Sequence, residues 1–174
     1  MAAPPLTMAE INALNRDAFV DRLGFLYEGS PWMVAEAWSA RPFIDRNALE
    51  RALTDVVQRA PAERQIALIE AHPDLVGRAA LAGTLTAEST AEQAAAGIDP
   101  HRLSPEEIAT FGELNAAYRE RFGFPFVICA RENKKDAILA GFNARLDHGR
   151  DLEIATSLAE IAKIAHYRLH DVLR

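Results

Sequence analysis

Only one run in this chain is built like a β-strand. Phe122 to Ala130, FGFPFVICA, gathers aromatic and β-branched residues around a glycine and a proline. A single extended piece has no partner with which to make a sheet, so the rest of the fold must be helical. The rest reads that way. Thr7-Met8-Ala9-Glu10 matches a capping box, and Phe19, Leu23, Leu26 and Tyr27 recur at helical spacing before Gly29-Ser30-Pro31. Trp32, Ala35 and Trp38 follow, up to the break at Arg41-Pro42-Phe43. Asn47 is expected to cap a helix carrying Leu49, Leu53, Val56 and Val57, and Pro61 to start one carrying Ile66, Leu68 and Ile69. Thr86 caps an alanine-rich helix that Gly97 ends. Ser104-Pro105-Glu106-Glu107 opens the helix of Ile108, Phe111, Leu114 and Tyr118. Asn133 is expected to open another, and a long last helix runs from Leu152 to Leu173. The expectation is one all-α domain over residues 1–174, seven or eight helices with one short extended segment near 124–130.

Bulk composition narrows the class. Of 174 residues 49% are hydrophobic and 25% charged, ordinary for a globular protein. The net charge of −6, with scattered basic residues, argues against a nucleic-acid binder. No apolar run approaches the roughly 20 residues of a membrane span. The N-terminal MAAPPLTMAE lacks the features of a signal peptide, and DVLR is not a peroxisomal tripeptide. Cys129, the single cysteine, has no internal partner for a disulfide, which fits a reducing, cytoplasmic setting.

Chemistry concentrates between Ala71 and Gln93, AHPDLVGRAALAGTLTAESTAEQ. Pro73 pushes His72 out of helical geometry, which leaves the imidazole at a helix end. There the dipole favours a cationic ring suited to donating a proton, although such a histidine can also merely cap spare carbonyls. Ser89, Glu92 and Gln93 share one side of the alanine-rich helix; they can present a hydroxyl, a carboxylate and an amide to a ligand, or form a solvated face. Phe126, Val127, Ile128, Cys129 and Ala130 read as buried side chains whose peptide groups, lacking a ladder, can bind an amide-rich ligand. Cys129 itself reads as inert packing. His166 and His170 stand at the spacing of a two-histidine metal face but lack a clear third ligand. Arg168, on another face of the same helix, suits a carboxylate partner or an anion.

Taken in order, HPDL followed by GR, then GTLT, S-x-x-EQ and FGFPFVICAR resemble the family of 2-oxo-4-hydroxy-4-carboxy-5-ureidoimidazoline (OHCU) decarboxylases of urate breakdown. Glu28, Ser30-Pro31, Trp38 and Arg41-Pro42-Phe43 resemble the family's opening. Glu160-Ile161, Lys163-Ile164 and Arg168-Leu169 resemble its end. The resemblance implies a helical homodimer that converts its ureidoimidazoline substrate to (S)-allantoin and CO2, without metal or organic cofactor. It places the proton-donating histidine on His72 with Pro73 beside it, and the acidic catalytic residue on Glu92. It places substrate contacts on Ser89, Gln93, residues 126–130 and Arg168. Two other readings compete: a metal-dependent hydrolase centred on His166 and His170, and a helical interaction module in which the His-Pro segment is only structural. Whether Glu92 orients His72 or meets the substrate, and whether Arg131 faces the pocket or a carboxylate, stay open at this level.

Overall fold

The computed structural model describes residues 4–174; the first three residues of the stretch read for a leader lie outside them. The chain is all-α. Ten α-helices and three 3₁₀ turns follow one another, with no β-strand among the described residues. Three of the ten, α1 (Met8–Ala13), α3 (Trp32–Ala37) and α6 (Arg78–Leu81), have only six, six and four residues, which accounts for the count exceeding seven or eight. No helix among the described residues is long and apolar enough to cross a membrane. The helices group into two units, residues up to Ala71 with Ala162–Arg174, and His72–Ile161.

The first unit holds α1, α2 (Arg16–Leu23), α3, α4 (Arg46–Arg59), α5 (Ala62–Glu70) and the C-terminal part of α10 (Arg150–Val172). Thr7 and Glu10 form the expected reciprocal cap of α1. Asp45, not Asn47, caps α4. Its extended backbone lets the carboxylate accept the Ala48 N–H at 2.7 Å, while Asn47 already lies inside the helix. Phe19, Leu23, Met33, Val34, Leu49, Leu53, Leu68, Ile69 and Leu169 are buried at 0–2% exposure. Each such side chain is worth roughly 1.5–3 kcal/mol of burial. Phe19 stacks on Phe43 at 6.1 Å.

The second unit holds α6, α7 (Ala87–Ala95), α8 (Pro105–Phe122), α9 (Lys135–Leu146) and the start of α10. Thr86 caps α7, and Ser104 with Glu107 closes the expected box on α8. Gly123 ends α8 at φ +82°, a conformation a side chain would resist, and so turns the chain into the 124–130 segment. Residues 125–129 are neither helical nor paired in a ladder. Beneath them lies an aromatic cluster. Phe126 stacks on Phe142 at 3.8 Å, and Tyr118 meets Phe126 edge-on at 5.3 Å. Lys134 precedes α9 as its first cap residue, because the Asn133 side chain is spent donating to the Cys129 carbonyl at 2.9 Å.

Candidate active site

The second unit opens on His72. α5 ends at Glu70, as the following proline requires, and the imidazole is buried, 7% exposed. The loop it leads is gripped at three consecutive residues. Arg119 of α8 donates from Nε to both Asp74 oxygens at 2.9 and 3.1 Å. Asn115, one helical turn earlier, donates to the Leu75 carbonyl at 2.8 Å. Val76 donates its N–H to Gln93 Oε1 at 3.1 Å. Val76 sits at φ +51°, a left-handed conformation that costs a β-branched residue about 1–3 kcal/mol. Gly77 allows the turn that follows, since a Cβ there would lie 2.5 Å from Asp74 Cβ. The gripping residues Asp74, Val76, Asn115 and Arg119 also line a groove of about 690 Å³, together with Arg78, Leu81, Ile108 and Gly112 among others. The buried Asn115 Oδ1 has no hydrogen-bond partner among the described residues.

α7 brings the predicted polar trio together, and none of the three is solvated. Ser89, Glu92 and Gln93 are 6%, 8% and 4% exposed. α7 therefore buries three of its five polar side chains while four of its alanines face solvent, which is unusual unless the buried groups serve a ligand or a network. Glu92 faces Arg131, Oε1 to Nε 3.6 Å, so Arg131 has a carboxylate partner next to the extended segment. Gln93 is oriented by chemistry. Because Val76 N–H can only donate, the Gln93 atom facing it must be the oxygen, and its NH2 makes no hydrogen bond among the described residues. α7 thus connects through Gln93 to the His72 loop and through Glu92 to the residue that follows Ala130.

The 126–130 segment has buried side chains at Phe126, Val127, Cys129 and Ala130, with Ile128 half-buried. Part of its backbone is used internally. Val127 C=O accepts from Arg145 Nη1 at 2.7 Å, and Cys129 N–H donates to Glu160 Oε2 at 2.8 Å. The peptide groups of Phe126 and Ile128 and the Val127 N–H have no such partner among the described residues. Burial raises the Cys129 thiol above its ordinary range, so it is a poor nucleophile.

A buried polar network supports this segment, and sequence reading did not find it. Arg145 donates to Glu153 Oε1 from Nε at 2.5 Å and lies 4.2 Å over the Phe126 ring. It also reaches Ser157 Oγ at 3.3 Å. Tyr118 donates to Glu153 at 2.5 Å, and His148 Nδ1 lies 2.8 Å from the other Glu153 oxygen. Burial first, and this hydrogen bond second, push the Tyr118 hydroxyl well above its ordinary range.

The remaining singled-out residues lie in the first unit. Arg168, 2% exposed, donates to the Phe25 carbonyl at 3.0 Å and to Glu28 at 3.1 Å. His166 and His170 do share a face, and Glu50 of α4 meets them there.

Fold and site together describe an all-helical domain that gathers buried polar side chains beside open peptide groups, an arrangement of the class that takes a small polar ligand. The family model for OHCU decarboxylase matches residues 12–170. The 2-oxo-4-hydroxy-4-carboxy-5-ureidoimidazoline decarboxylase of Haloferax volcanii is 43% identical, with 94% of each chain covered. A crystal structure of (S)-allantoin synthase aligns at TM-score 0.74 and 26% identity, over 98% of this chain and 54% of that one. A crystal structure of OHCU decarboxylase in the presence of (S)-allantoin aligns at TM-score 0.66 over 82% of this chain and 91% of that one; at 19% identity it speaks to the fold alone. This chain belongs to the OHCU decarboxylase family.

Proposed function

We propose that the protein decarboxylates 2-oxo-4-hydroxy-4-carboxy-5-ureidoimidazoline to (S)-allantoin and CO2 in urate degradation, with His72 as proton donor. The observation that carries the site assignment is the buried polar face of α7, connected on one side to the His72 loop and on the other to the residue after the open 126–130 backbone. The substrate bears its carboxylate on a carbon next to a ring C=N bond. As the C–C bond to CO2 breaks, its electron pair forms a ring C=C bond and the C=N pair moves onto nitrogen, which takes a proton. The resulting enol then gives up its hydroxyl proton to become the carbonyl, and a proton is delivered to the carbon bearing the ureido group. Because the substrate is its own electron sink, the reaction asks for no metal or organic cofactor.

The protein's share is orientation and charge. Holding the substrate in one geometry can remove several kcal/mol of the barrier, roughly 7–11 at the limit. The Gln93 NH2 and the N–H groups of Val127 and Ile128 are donors suited to ureido and ring oxygens. Ser89 and Pro73 are assigned to the substrate's surroundings, and Glu92, beside Arg131, to accepting from the substrate hydroxyl or to orienting the imidazolium. His72 delivers its proton from one side only, which sets the (S) configuration. Arg168 is assigned to the substrate carboxylate on the family resemblance alone, as are the homodimer and the cytoplasmic location.

The test is direct. Freshly generated urate-oxidation product is added and circular dichroism followed, since spontaneous decay yields racemic allantoin. Rapid appearance of an (S)-allantoin signal supports the assignment; a rate and signal no different from buffer overturn it. A helical interaction module would give that second result.

A further inference from the structure

The α10 histidine pair, without a visible third ligand in the sequence, acquires one in the fold. Glu50 of α4 extends its carboxylate so that Oε1 lies 3.1 Å from His166 Nδ1 and 3.5 Å from His170 Nε2. One donor atom from each of the three residues falls within 4.8 Å of the others. Two imidazoles bonded to zinc at 2.0–2.1 Å with a carboxylate oxygen at a similar distance, in tetrahedral geometry, stand about 3.3 Å apart along each ligand–ligand edge. The two measured separations bracket that value. The side chains keep 25%, 45% and 39% of their exposure, so water can complete the coordination sphere. We infer that Glu50, His166 and His170 form a surface binding site for a borderline divalent transition-metal ion of the zinc class. Two nitrogen donors and one carboxylate favour zinc, nickel or copper over magnesium or calcium, which take oxygen donors.

One neighbour opposes it. Arg46 Nη1 lies 3.0 Å from His170 Nδ1 and 3.4 Å from Nε2. A donor this near to both ring nitrogens lies against the ring and not in line with one lone pair, so it fixes neither tautomer and leaves Nε2 able to ligate. A bound dication would nevertheless bring positive charge against the guanidinium. Metal and the Arg46 contact therefore oppose each other. Arg46 is a gate on the site: its side chain must swing toward solvent before the ion enters. All four residues lie in the first unit, where the ion would join α4 to the end of α10. This inference does not depend on the reaction proposed above.

The experiment is calorimetric titration of the untagged full chain with zinc chloride, paired with the visible spectrum of the cobalt-loaded protein. The site predicts one ion per chain, tetrahedral cobalt bands, and loss of at least tenfold in affinity in H166A and in H170A. Arg46→Ala is expected to tighten binding about tenfold, and the exposed His101→Ala to leave it unchanged. Circular dichroism of each variant guards against misfolding, since all these side chains are at the surface. No saturable binding at millimolar zinc, or binding that survives H166A/H170A, overturns the inference. An unchanged affinity in Arg46→Ala overturns the gate.

Discussion

Val76 donates its N–H to the Gln93 side-chain oxygen, and this one bond fixes which end of the buried amide faces the His72 loop. The NH2 makes no hydrogen bond among the described residues, so the proposed role for Gln93 toward substrate is that of a donor. Gln93→Glu retains an acceptor for Val76 and removes the NH2. With one stabilising donor lost from a buried site, kcat/KM should fall about 10²–10³-fold, and the melting temperature should drop as well, because the new carboxylate is buried beside Glu92. Steady-state kinetics with a thermal melt checks this, and an unaltered kcat/KM would remove Gln93 from the donor role.

His72→Asn keeps a polar side chain at the end of α5 but has no titratable proton. Loss of about 10²–10⁴-fold in (S)-allantoin formation is expected, with far-ultraviolet circular dichroism unchanged. Full stereoselectivity in this variant would mean that another group supplies the proton.

Asn115 and Arg119 grip adjacent residues of the His72 loop, but the two contacts differ in worth. Asn115 is buried, and Asn115→Ala strands the Leu75 carbonyl, at about 1–3 kcal/mol. The Arg119–Asp74 pair is partly exposed, 44% and 25%, so Arg119→Ala should cost only about 0–1 kcal/mol. Both loosen the loop that carries the proposed acid, so kcat should fall more than KM rises in each. Equal stability loss in the two variants, measured by urea unfolding, would contradict this ordering.

Arg145 and Glu153 are a buried ion pair, 8% and 0% exposed at the side chain. Glu153→Gln leaves a buried guanidinium uncompensated and should destabilise by about 3–5 kcal/mol. The double change Arg145→Met with Glu153→Leu should recover much of that loss, though not activity, because Val127 would lose its anchor. A double variant no more stable than the single would show that packing, not charge, dominates.

Alkaline pH should unfold the protein through its buried tyrosines. Burial raises Tyr27 above its ordinary 10.0, with the Glu50 charge adding to it, and Tyr118 is raised likewise. An acid whose folded pKa is raised holds its proton longer in the folded state. Its contribution is complete below the unfolded value near 10 and disappears as pH climbs toward the folded value. Unfolding free energies at pH 8, 10 and 11 should therefore decline above 10, each tyrosine adding at most about 1.4 kcal/mol per pH unit. Tyr27→Phe should flatten the decline; an identical slope in that variant would exclude Tyr27 as a source.

Helix positions and caps were legible because they follow from local chemistry. Thr7, Thr86 and Ser104 all cap where the sequence places them, and the lone strand-like run stays unpaired. The buried face of α7 was ambiguous, since Ser89, Glu92 and Gln93 fit a wet surface as well as a pocket. The support network had a signal that apolar periodicity alone passes over. Asn115 lies on the stripe of Phe111 and Tyr118, Arg145 on that of Ile138 and Phe142, and Glu153 and Ser157 on that of Ile161. Polar residues at inward positions of an apolar stripe mark buried networks. Which residues pair within the network depends on contacts between helices, as Glu50 shows by meeting histidines 116 and 120 positions away in a numbering that gives no hint of it.

If the open peptide groups of Phe126, Val127 and Ile128 hold the substrate as proposed, they have an evolutionary consequence. Recognition by peptide N–H and C=O groups is indifferent to the side chains that happen to hang from them. Phe126, Val127 and Ile128 are then free to drift among residues that fill the same core volume, with no change in what is bound. Substitutions at these positions in relatives would report on packing and say nothing of substrate choice. On that reading Arg145, which fixes where the Val127 carbonyl sits, is the position whose replacement would signal a changed specificity.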